Sequence, residues 1–329
     1  MKNLKGKVAV VAGATRGAGR GIALMLGEAG ATVYCTGRSV RGAPPAEGIH
    51  AGRKETVEET AEMVSARGGE GLHARVDHTD EAQVESLFAR VRKERGRLDL
   101  LVNVLGGDTQ AEWKPFWKLS LEKGLRWLRQ ETFAHIITAR HAAALMVKQK
   151  NGLIVGLTDG DTIGYRASLF YDLVKVTTIR LAYAMAEELH PHGVASLALT
   201  PGFMRTEWML DHLGATEENW REVAEKNPEA RSFGFIASET PCFVGRAVAA
   251  LAADPRVLEK SGGVYASWTL AEEYGFKDVD GSTPNCMRYF AEHFPQLVSA
   301  KTKTGLQWKL EREERPAKAE RRSRAKRAS

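Results

Sequence analysis

VAVVAGATRGAGRGIALML, residues Val8–Leu26, joins a short apolar run, a glycine-rich turn and an amphipathic segment in direct succession. Glycine lets the backbone turn sharply and approach a phosphate closely, and the N-terminus of the following helix favours negative charge. The turn has the spacing G-x-x-x-G-x-G, and its residues of interest are Gly13, Thr15, Arg16, Gly17 and Gly19. A strand, this turn and a helix in this order predict a dinucleotide-binding unit.

Apolar runs and amphipathic stretches alternate along the rest of the chain in the same way. Such alternation is typical of β-α-β units, and runs that are almost wholly apolar are expected for strands buried on both faces. The predicted strands are Val8–Val11, Thr32–Cys35, Gly71–Val76, Leu98–Val102, Leu153–Leu157, Val194–Leu199 and Gly263–Ala266. The sequence therefore predicts an α/β fold with a Rossmann-like, doubly wound parallel sheet of about seven strands. Thr240-Pro241 predicts the start of a helix that runs to Ala253.

The last predicted strand falls so late that one continuous domain, residues 1–298, is expected, with lid segments at about 106–120 and 203–238 and an extension at about 271–298. The net charge of +6 comes from the end of the chain, where residues 301–329 hold 11 Lys/Arg and 4 Glu. A mixed-charge segment with few apolar residues cannot bury enough surface to fold. Residues 299–329 are therefore expected to form a basic, disordered tail, and nucleic-acid binding is not expected as the function.

The three cysteines, Cys35, Cys242 and Cys286, are far apart and odd in number. They give neither a disulfide framework nor the spacing of a metal site, so a cytoplasmic protein without a bound metal is expected. The first apolar run is too short for a signal peptide or a membrane span. Neither export nor membrane insertion is expected.

The end of the second predicted strand, VYCTGRS (Val33–Ser39), bears on the choice of dinucleotide. An NAD site usually has a carboxylate here that accepts from the ribose 2′-OH, whereas this chain has Gly37 followed by Arg38. A guanidinium suits a 2′-phosphate, and Arg16 in the glycine turn can add a second charge-assisted contact. The sequence predicts NADP(H) as the cofactor.

LTDGDTIGYRASLFYDLVK, residues Leu157–Lys175, ends in a tyrosine and a lysine four residues apart. That spacing brings Tyr171 and Lys175 onto one face of a helix, where the pair can serve as a proton donor beside a cation. Such a donor usually works with a hydroxyl a little upstream, and Thr158 and Asp159 are the residues found there.

These motifs, with Asp77, Asn103, Pro201-Gly202 and Thr206, resemble the short-chain dehydrogenase/reductase family over about residues 5–270. RGIALMLGEAGATVYCTGRS and LAEEYGFKDVDG are similar to the subgroup typified by dehydrogenase/reductase member 1. The resemblance implies that Tyr171 is the general acid/base, and that Lys175 holds the nicotinamide ribose and lowers the pKa of the tyrosine. It also implies that Asp77 contacts adenine, that Thr206 contacts the carboxamide and that Asn103 lines the cofactor path. Finally, it implies a homo-oligomer with interfaces on segments 121–149 and 170–190.

Three positions depart from the family pattern. The motif Asn-Asn-Ala-Gly is replaced by Asn103-Val104-Leu105-Gly106. The family's asparagine that holds a proton-relay water is replaced by Glu131, or by Thr132 if the loop differs by one residue. The family's serine falls on Thr158 when counted back from the tyrosine and on Asp159 when counted forward along the strand. Thr158 is favoured because a carboxylate beside Tyr171 would oppose phenolate formation, and Asp159 remains the alternative.

Two segments beyond the carboxyl ends of the strands are expected to lie over the substrate. Their apolar residues predict a lid over a hydrophobic carbonyl compound, or else packing against the body or a partner subunit: Trp113, Phe116, Trp117, Phe203, Met204, Trp208, Met209 and Leu210. Asp108, Asp159 and Asp161 would add a polar or cation-selecting element.

The expected function is an NADP(H)-dependent interconversion of a carbonyl and an alcohol on a small, hydrophobic substrate. One alternative is C=C reduction or an epimerase or dehydratase step on the same fold, with Glu131 and Asp159 as extra acid/base groups. The other is a non-catalytic NADP(H)-binding regulatory protein.

Overall fold

The computed structural model describes residues 3–43, 50–106, 111–112, 114–160 and 165–294. The strands are β1 (Val8–Ala12), β2 (Thr32–Gly37), β3 (Glu70–Arg75), β4 (Leu100–Asn103), β5 (Gly152–Leu157), β6 (Val194–Thr200) and β7 (Val264–Ala266). All seven are parallel and form one sheet in the order β3-β2-β1-β4-β5-β6-β7. The prediction of a doubly wound parallel sheet is confirmed.

Twelve α-helices of the described residues surround the sheet and connect its strands. They are α1 (Gly17–Glu28), α2 (Val57–Ala66), α3 (Glu81–Arg95), α4 (Leu121–Leu128), α5 (Ala134–Gln149), α6 (Leu169–Leu189), α7 (Glu207–Leu213), α8 (Trp220–Lys226), α9 (Pro228–Ser232), α10 (Pro241–Ala253), α11 (Ser267–Tyr274) and α12 (Cys286–His293). The helix predicted after Thr240-Pro241 has the expected bounds, because the Thr240 side chain accepts from the backbone N–H of Cys242 and caps it. None of the described helices is both long and apolar enough to cross a bilayer.

Alternate residues of the strands enter two separate cores, one on each face of the sheet. Val11 of β1 belongs to the core under α1, α2 and α10, whereas its neighbour Val10 belongs to the core under α3 and α5. The first core allows the closer packing, since a Cβ added to Gly21 of α1 would lie 2.1 Å from the backbone oxygen of Pro241. Glycine there permits α1 and α10 to touch backbone to backbone.

The sheet is buried on both faces only towards its centre. Strands β1, β4, β5 and β6 are buried almost throughout, as expected, whereas β3 alternates exposed and partly buried residues. The expectation of full burial is wrong for β3 because it is an edge strand with one neighbour, and polar residues such as Glu70 and Arg75 suit an edge.

Two peripheral segments complete the described chain. Residues 203–238 contain α7, α8 and α9 and have their own apolar cluster around Phe235. Beyond β7, the chain continues through α11 and α12 and packs Cys286 and Trp268 around Phe243 of α10. The tail expected at 299–329 lies outside the described residues.

Candidate active site

The glycine turn opens a groove at the carboxyl ends of β1, β2 and β4. Gly13 and Gly17 have φ values of 88° and 53°, which strain other residues, and a Cβ on Gly13 would lie 2.2 Å from the Val104 oxygen. The groove is open to solvent. Residues predicted to bind the cofactor line it: Gly13, Thr15, Arg16, Gly17, Arg38, Asp77 and Thr206.

Three other predicted cofactor residues support the groove without lining it. Gly19 packs beneath the turn, since a Cβ there would lie 2.0 Å from the Gly13 oxygen. Asn103 is buried, and its Nδ2 donates to the backbone oxygen of His135 at 3.5 Å. Gly202 follows Pro201 at the end of β6, and its N–H donates to Glu239 Oε2 at 2.9 Å. The buried Glu239 therefore fixes the Pro201-Gly202 turn, a role that no local sequence signal indicated.

The two arginines predicted to select a 2′-phosphate have different surroundings. Arg38 lines the groove beside Ser39 and His50. Arg16 is partly buried, and its Nε lies 3.5 Å from a carboxylate oxygen of Glu55. Burial alone would raise the pKa of Glu55, but hydrogen bonds from Arg53 and the charge of Arg16 hold it at about 2. Both arginines line the groove, and Arg38 is the one that directly follows the end of β2.

The N-terminus of α1 carries an anion supplied by the protein itself. The backbone N–H of Gly17 donates to Glu207 Oε2 at 2.8 Å, and Glu207 Oε1 lies 3.8 Å from Arg20 Nε. Glu207 follows Thr206, whose hydroxyl accepts from the Met209 N–H and caps α7. Sequence reasoning identified Thr206 and missed Glu207, because an acidic residue in the first turn of a helix is ordinary.

Tyr171 and Lys175 lie on one face of α6, as the spacing predicts, with Lys175 Nζ 5.5 Å from the centre of the tyrosine ring. The Tyr171 hydroxyl donates to Asp159 Oδ2 at 2.5 Å, and the buried ring of Trp127 supports the tyrosine with ring centres 5.6 Å apart. Asp159 is therefore the residue of the upstream pair that faces the tyrosine.

Thr158, which the sequence favoured for that place, points elsewhere. Its side chain is buried, and Oγ1 donates to the backbone oxygen of Lys175 at 2.8 Å. The preference for Thr158 as the residue facing Tyr171 is wrong geometrically, because consecutive residues at the end of β5 point in opposite directions and α6 covers the threonine. Thr158 instead joins the end of β5 to α6.

Glu131 occupies the place opposite Lys175. A π-helical turn at Arg129–Phe133 lies between α4 and α5, and this turn holds the buried Glu131. Lys175 Nζ lies 2.9 and 3.1 Å from the two Glu131 oxygens, and Trp127 Nε1 donates to Oε1 at 3.4 Å. Of the two candidates that the sequence offered, Glu131 rather than Thr132 makes the contact. We call Asp159, Tyr171, Lys175 and Glu131 the Tyr171 cluster.

The charges of the cluster oppose the expectation that Lys175 lowers the pKa of Tyr171. Burial raises that pKa, the carboxylates of Asp159 and Glu131 raise it further, and Arg166 acts in the opposite direction. Lys175 fails to offset these effects because Glu131 neutralises it. Burial also lowers the pKa of His135, one turn beyond Glu131, to about 3, and the charge of Lys175 contributes.

The cluster lies at the end of the groove. The groove is lined there by Leu105, Gly106, Gln130 and Ala134, and a Cβ on Gly106 would lie 3.7 Å from Glu131 Oε1. Tyr171 itself is not part of the groove lining. A ligand that follows the groove from Arg38 past the glycine turn therefore reaches the Glu131–Lys175 pair, with Tyr171 behind it.

The predicted lid residues divide into several groups. Phe203, Met209 and Leu210 pack in the cluster around Phe235, Met204 packs against the main core, and Trp208 lines the groove. Phe116 and Trp117 are mainly exposed. Trp113, Asp108 and Asp161 lie outside the described residues. The described part of the lid thus mixes both predicted alternatives, a wall of the groove and packing against the body.

The glycine groove, the parallel sheet and the Tyr171–Lys175 pair are together typical of a nicotinamide-dependent oxidoreductase. Residues 7–217 match the family model described as short chain dehydrogenase. The chain belongs to the short-chain dehydrogenase/reductase family, whose members use a nicotinamide cofactor. It is 35% identical to human dehydrogenase/reductase SDR family member 1 over 84% of this chain and 85% of that protein, which confirms the predicted subgroup.

More distant relatives agree with this assignment. 3-oxoacyl-acyl-carrier-protein reductase FabG of Escherichia coli is 29% identical over 62% of this chain and 76% of its own length. A short-chain type dehydrogenase/reductase from Mycobacterium marinum has the same fold, with a TM-score of 0.62 and 24% identity over 80% of this chain and 94% of that one.

Proposed function

We propose that this oxidoreductase uses NADP(H) to interconvert a carbonyl and an alcohol on a small substrate, with Tyr171 as the general acid/base. The observation that carries the proposal is that the groove lined by the glycine turn and Arg38 extends to Gly106, next to the Glu131 carboxylate that pairs with Lys175, with Tyr171 on the same helix face as Lys175. The nicotinamide, when bound, supplies or accepts the hydride. A cytoplasmic location is part of the same proposal.

Each residue of the Tyr171 cluster has a separate role in this reaction. Tyr171 Oη gives its proton to the substrate oxygen during reduction and takes it back during oxidation. Asp159 accepts from that hydroxyl and fixes its direction, at the place where the family pattern has a serine. Lys175 orients the cofactor ribose, and its contact with Glu131 gives the buried ammonium a partner for proton exchange.

The arginine beside β2 supports NADP(H) over NAD(H). Arg38 lines the groove where the family places an adenosine ribose, and Gly37 leaves no carboxylate at the end of β2 to accept from a 2′-hydroxyl. Arg16 supports the preference less directly, because Glu55 already pairs with it.

A homo-oligomer forms part of the proposal, supported by an apolar surface on α4, α5 and α6. The large hydrophobic residues exposed there are Leu121, Leu125, Phe133, Ile136 and Leu173. Because α6 contacts both α4 and α5, large apolar side chains exposed on these helices favour an interaction site here. Light scattering of the purified protein should give a multiple of the 36.1 kDa chain mass, and Ile136→Glu should lower it.

The function is tested by comparing the wild type with Tyr171→Phe on a panel of ketones and aldehydes with NADPH. Loss of the acid should lower kcat/KM by at least about 100-fold, while calorimetry should find NADPH binding unchanged. NADPH binding without turnover of any carbonyl in the wild type would favour the non-catalytic alternative. Conversion of an added substrate without net NADPH consumption would favour an epimerase or dehydratase, for which Asp159 and Glu131 are suitable extra acid/base groups.

A further inference from the structure

Among the residues that the structure describes, the Tyr171 cluster and its surroundings show two cation–anion pairs and the carboxylate of Asp159. Lys175 is paired with Glu131, and Arg166 lies 3.8 Å from Asp172, which also accepts from the Arg166 backbone N–H. The carboxylate of Asp159 makes its hydrogen bond with the neutral Tyr171 hydroxyl. Of the charges that act on Tyr171, Asp159 has the largest effect, Glu131 acts in the same direction, and Arg166 opposes them.

The negative charge of Asp159 would weaken the binding of a plain ketone at Tyr171. A carbonyl oxygen bonded to Tyr171 Oη would lie close to an Asp159 oxygen, because the two side-chain oxygens are only 2.5 Å apart. Both would be acceptors, and the negative charge that develops on the substrate oxygen would meet a carboxylate. A serine hydroxyl at this place would donate to that oxygen, so the replacement by Asp159 changes which substrates fit.

We propose that the substrate carries a protonated amine on the carbon next to the reacting carbon. Asp159 then binds the ammonium, while Tyr171 bonds the substrate oxygen and exchanges a proton with it. This inference rests on the proposed carbonyl/alcohol function and names its substrate class as vicinal amino alcohols and the matching amino ketones. The ammonium donates to Asp159 in place of the tyrosine hydroxyl, which is then free to bond the substrate oxygen.

Tyr171 and Asp159 are near enough to contact neighbouring groups of one substrate. The 2.5 Å between Oη and Oδ2 depends on the tyrosine proton between them, so the two oxygens would move apart when the ammonium becomes the donor to Asp159. During oxidation Tyr171 first releases its own proton to solvent; a hydride then passes from the carbinol carbon to the nicotinamide as the C–H bond breaks, the O–H proton passes to the Tyr171 phenolate, and the C=O bond forms. The ammonium keeps its protons and offsets the charge of Asp159 throughout.

The first test compares 2-amino-1-phenylethanol with 1-phenylethane-1,2-diol as substrates for oxidation with NADP⁺. The two differ in an ammonium against a hydroxyl, and measuring both at one pH removes any effect of Tyr171 protonation from their ratio. The wild type should favour the amino alcohol by about 2- to 5-fold in kcat/KM, the range expected for an ion pair with an exposed carboxylate. Asp159→Asn should bring the ratio close to one, whereas Glu222→Gln, which removes an exposed charge on α8, should leave it unchanged.

A second measurement keeps the proposal testable if Asp159→Asn abolishes turnover. The unreactive cation 2-phenylethylammonium should bind the wild-type NADP⁺ complex more tightly than 2-phenylethanol does, by tryptophan fluorescence, since Trp127 contacts Tyr171. Asp159→Asn should remove this difference while NADPH binds as before.

Equal use of the two alcohols by the wild type, or a preference that survives Asp159→Asn, would overturn the inference and leave the proposed function intact. A wild type that binds NADPH but turns over neither these alcohols nor any carbonyl would refute the proposed function itself.

Discussion

Glu207 holds its carboxylate against the backbone N–H of Gly17, with 2.8 Å between Oε2 and the nitrogen. The two residues are 190 positions apart, and they meet because the first residue of α7 lies at the N-terminus of α1. A dinucleotide pyrophosphate needs the same end of α1, since helix N-termini and glycine turns bind phosphate. Glu207 therefore competes with the cofactor for this N–H group.

Glu207→Gln should tighten NADPH binding, because a neutral amide neither repels the pyrophosphate nor holds the N–H group as strongly. The expected decrease in Kd is about 3- to 10-fold at low salt, and it should shrink as salt rises. Calorimetric titration measures it, with Glu259→Gln as a control that removes an exposed charge elsewhere. Weaker NADPH binding by Glu207→Gln would mean that the carboxylate positions the cofactor instead of competing with it.

Arg38→Ala should weaken NADPH binding by about 10-fold or more and change NADH binding little, because only NADPH carries the 2′-phosphate that a guanidinium would bind. Arg41→Ala is a matched control three residues further on, since Arg41 is exposed and pairs with Glu62. Dissociation constants for both dinucleotides are measured on the three proteins. If NADPH and NADH weaken equally in Arg38→Ala, the cofactor preference proposed here is wrong.

Arg205 holds residues 203–238 to the C-terminal segment and should be important for stability. Its buried guanidinium lies 3.8 Å from the centre of the Trp220 ring, donates to the Ser238 backbone oxygen at 2.6 Å and pairs with Asp280 at 3.1 Å. Arg205→Met would leave Asp280 without this buried partner, and the free energy of unfolding should fall by about 3–5 kcal/mol.

Arg221 provides the matched control for Arg205. It contacts the same Trp220 ring at 4.5 Å and the same Asp280 at 3.3 Å, but its side chain is 57% exposed. Arg221→Met should therefore cost less than about 1 kcal/mol in chemical unfolding. Equal losses in the two variants would contradict the importance assigned to burial.

Glu239 should make the protein less stable as the pH rises. Its Oε2 accepts from Ser267 at 2.7 Å and from the Gly202 N–H at 2.9 Å, and burial raises its pKa from 4.5 to about 8 despite these bonds. Between pH 4.5 and about pH 8, the Glu239 carboxyl is ionised in the unfolded chain but stays protonated in the folded chain. The free energy of unfolding should thus fall with pH, by at most about 1.4 kcal/mol per pH unit from this group.

Glu239→Gln tests this pH dependence, because glutamine keeps an oxygen for both hydrogen bonds but cannot ionise. Urea unfolding at pH 5, 6, 7 and 8 should show a smaller decline in the variant than in the wild type. Parallel curves would show that Glu239 ionises in the folded protein as readily as in the unfolded chain.

Local patterns were sufficient for the sheet but not for the Tyr171 cluster. Each strand was located from its apolar run, because a strand buried between two helical layers must be apolar whatever its neighbours are. The edge strand β3 departs from this rule, since position in the sheet is not encoded in a single run. The choice between Thr158 and Asp159 failed for a related reason: the two adjacent residues point to opposite sides, and the placement of α6 decides which side faces Tyr171.

The sequence by itself determined the parallel α/β fold, the glycine turn and the tyrosine–lysine pair, because each depends on residues within one strand, turn or helix. Only the tertiary structure decided which groups meet across the chain. Lys175 meets Glu131 from a different helix, Tyr171 meets Asp159 from the end of β5, and Gly17 meets Glu207 from α7. Such charge pairings depend on distances of a few ångströms between segments far apart in sequence, and side-chain type and spacing alone do not fix those distances.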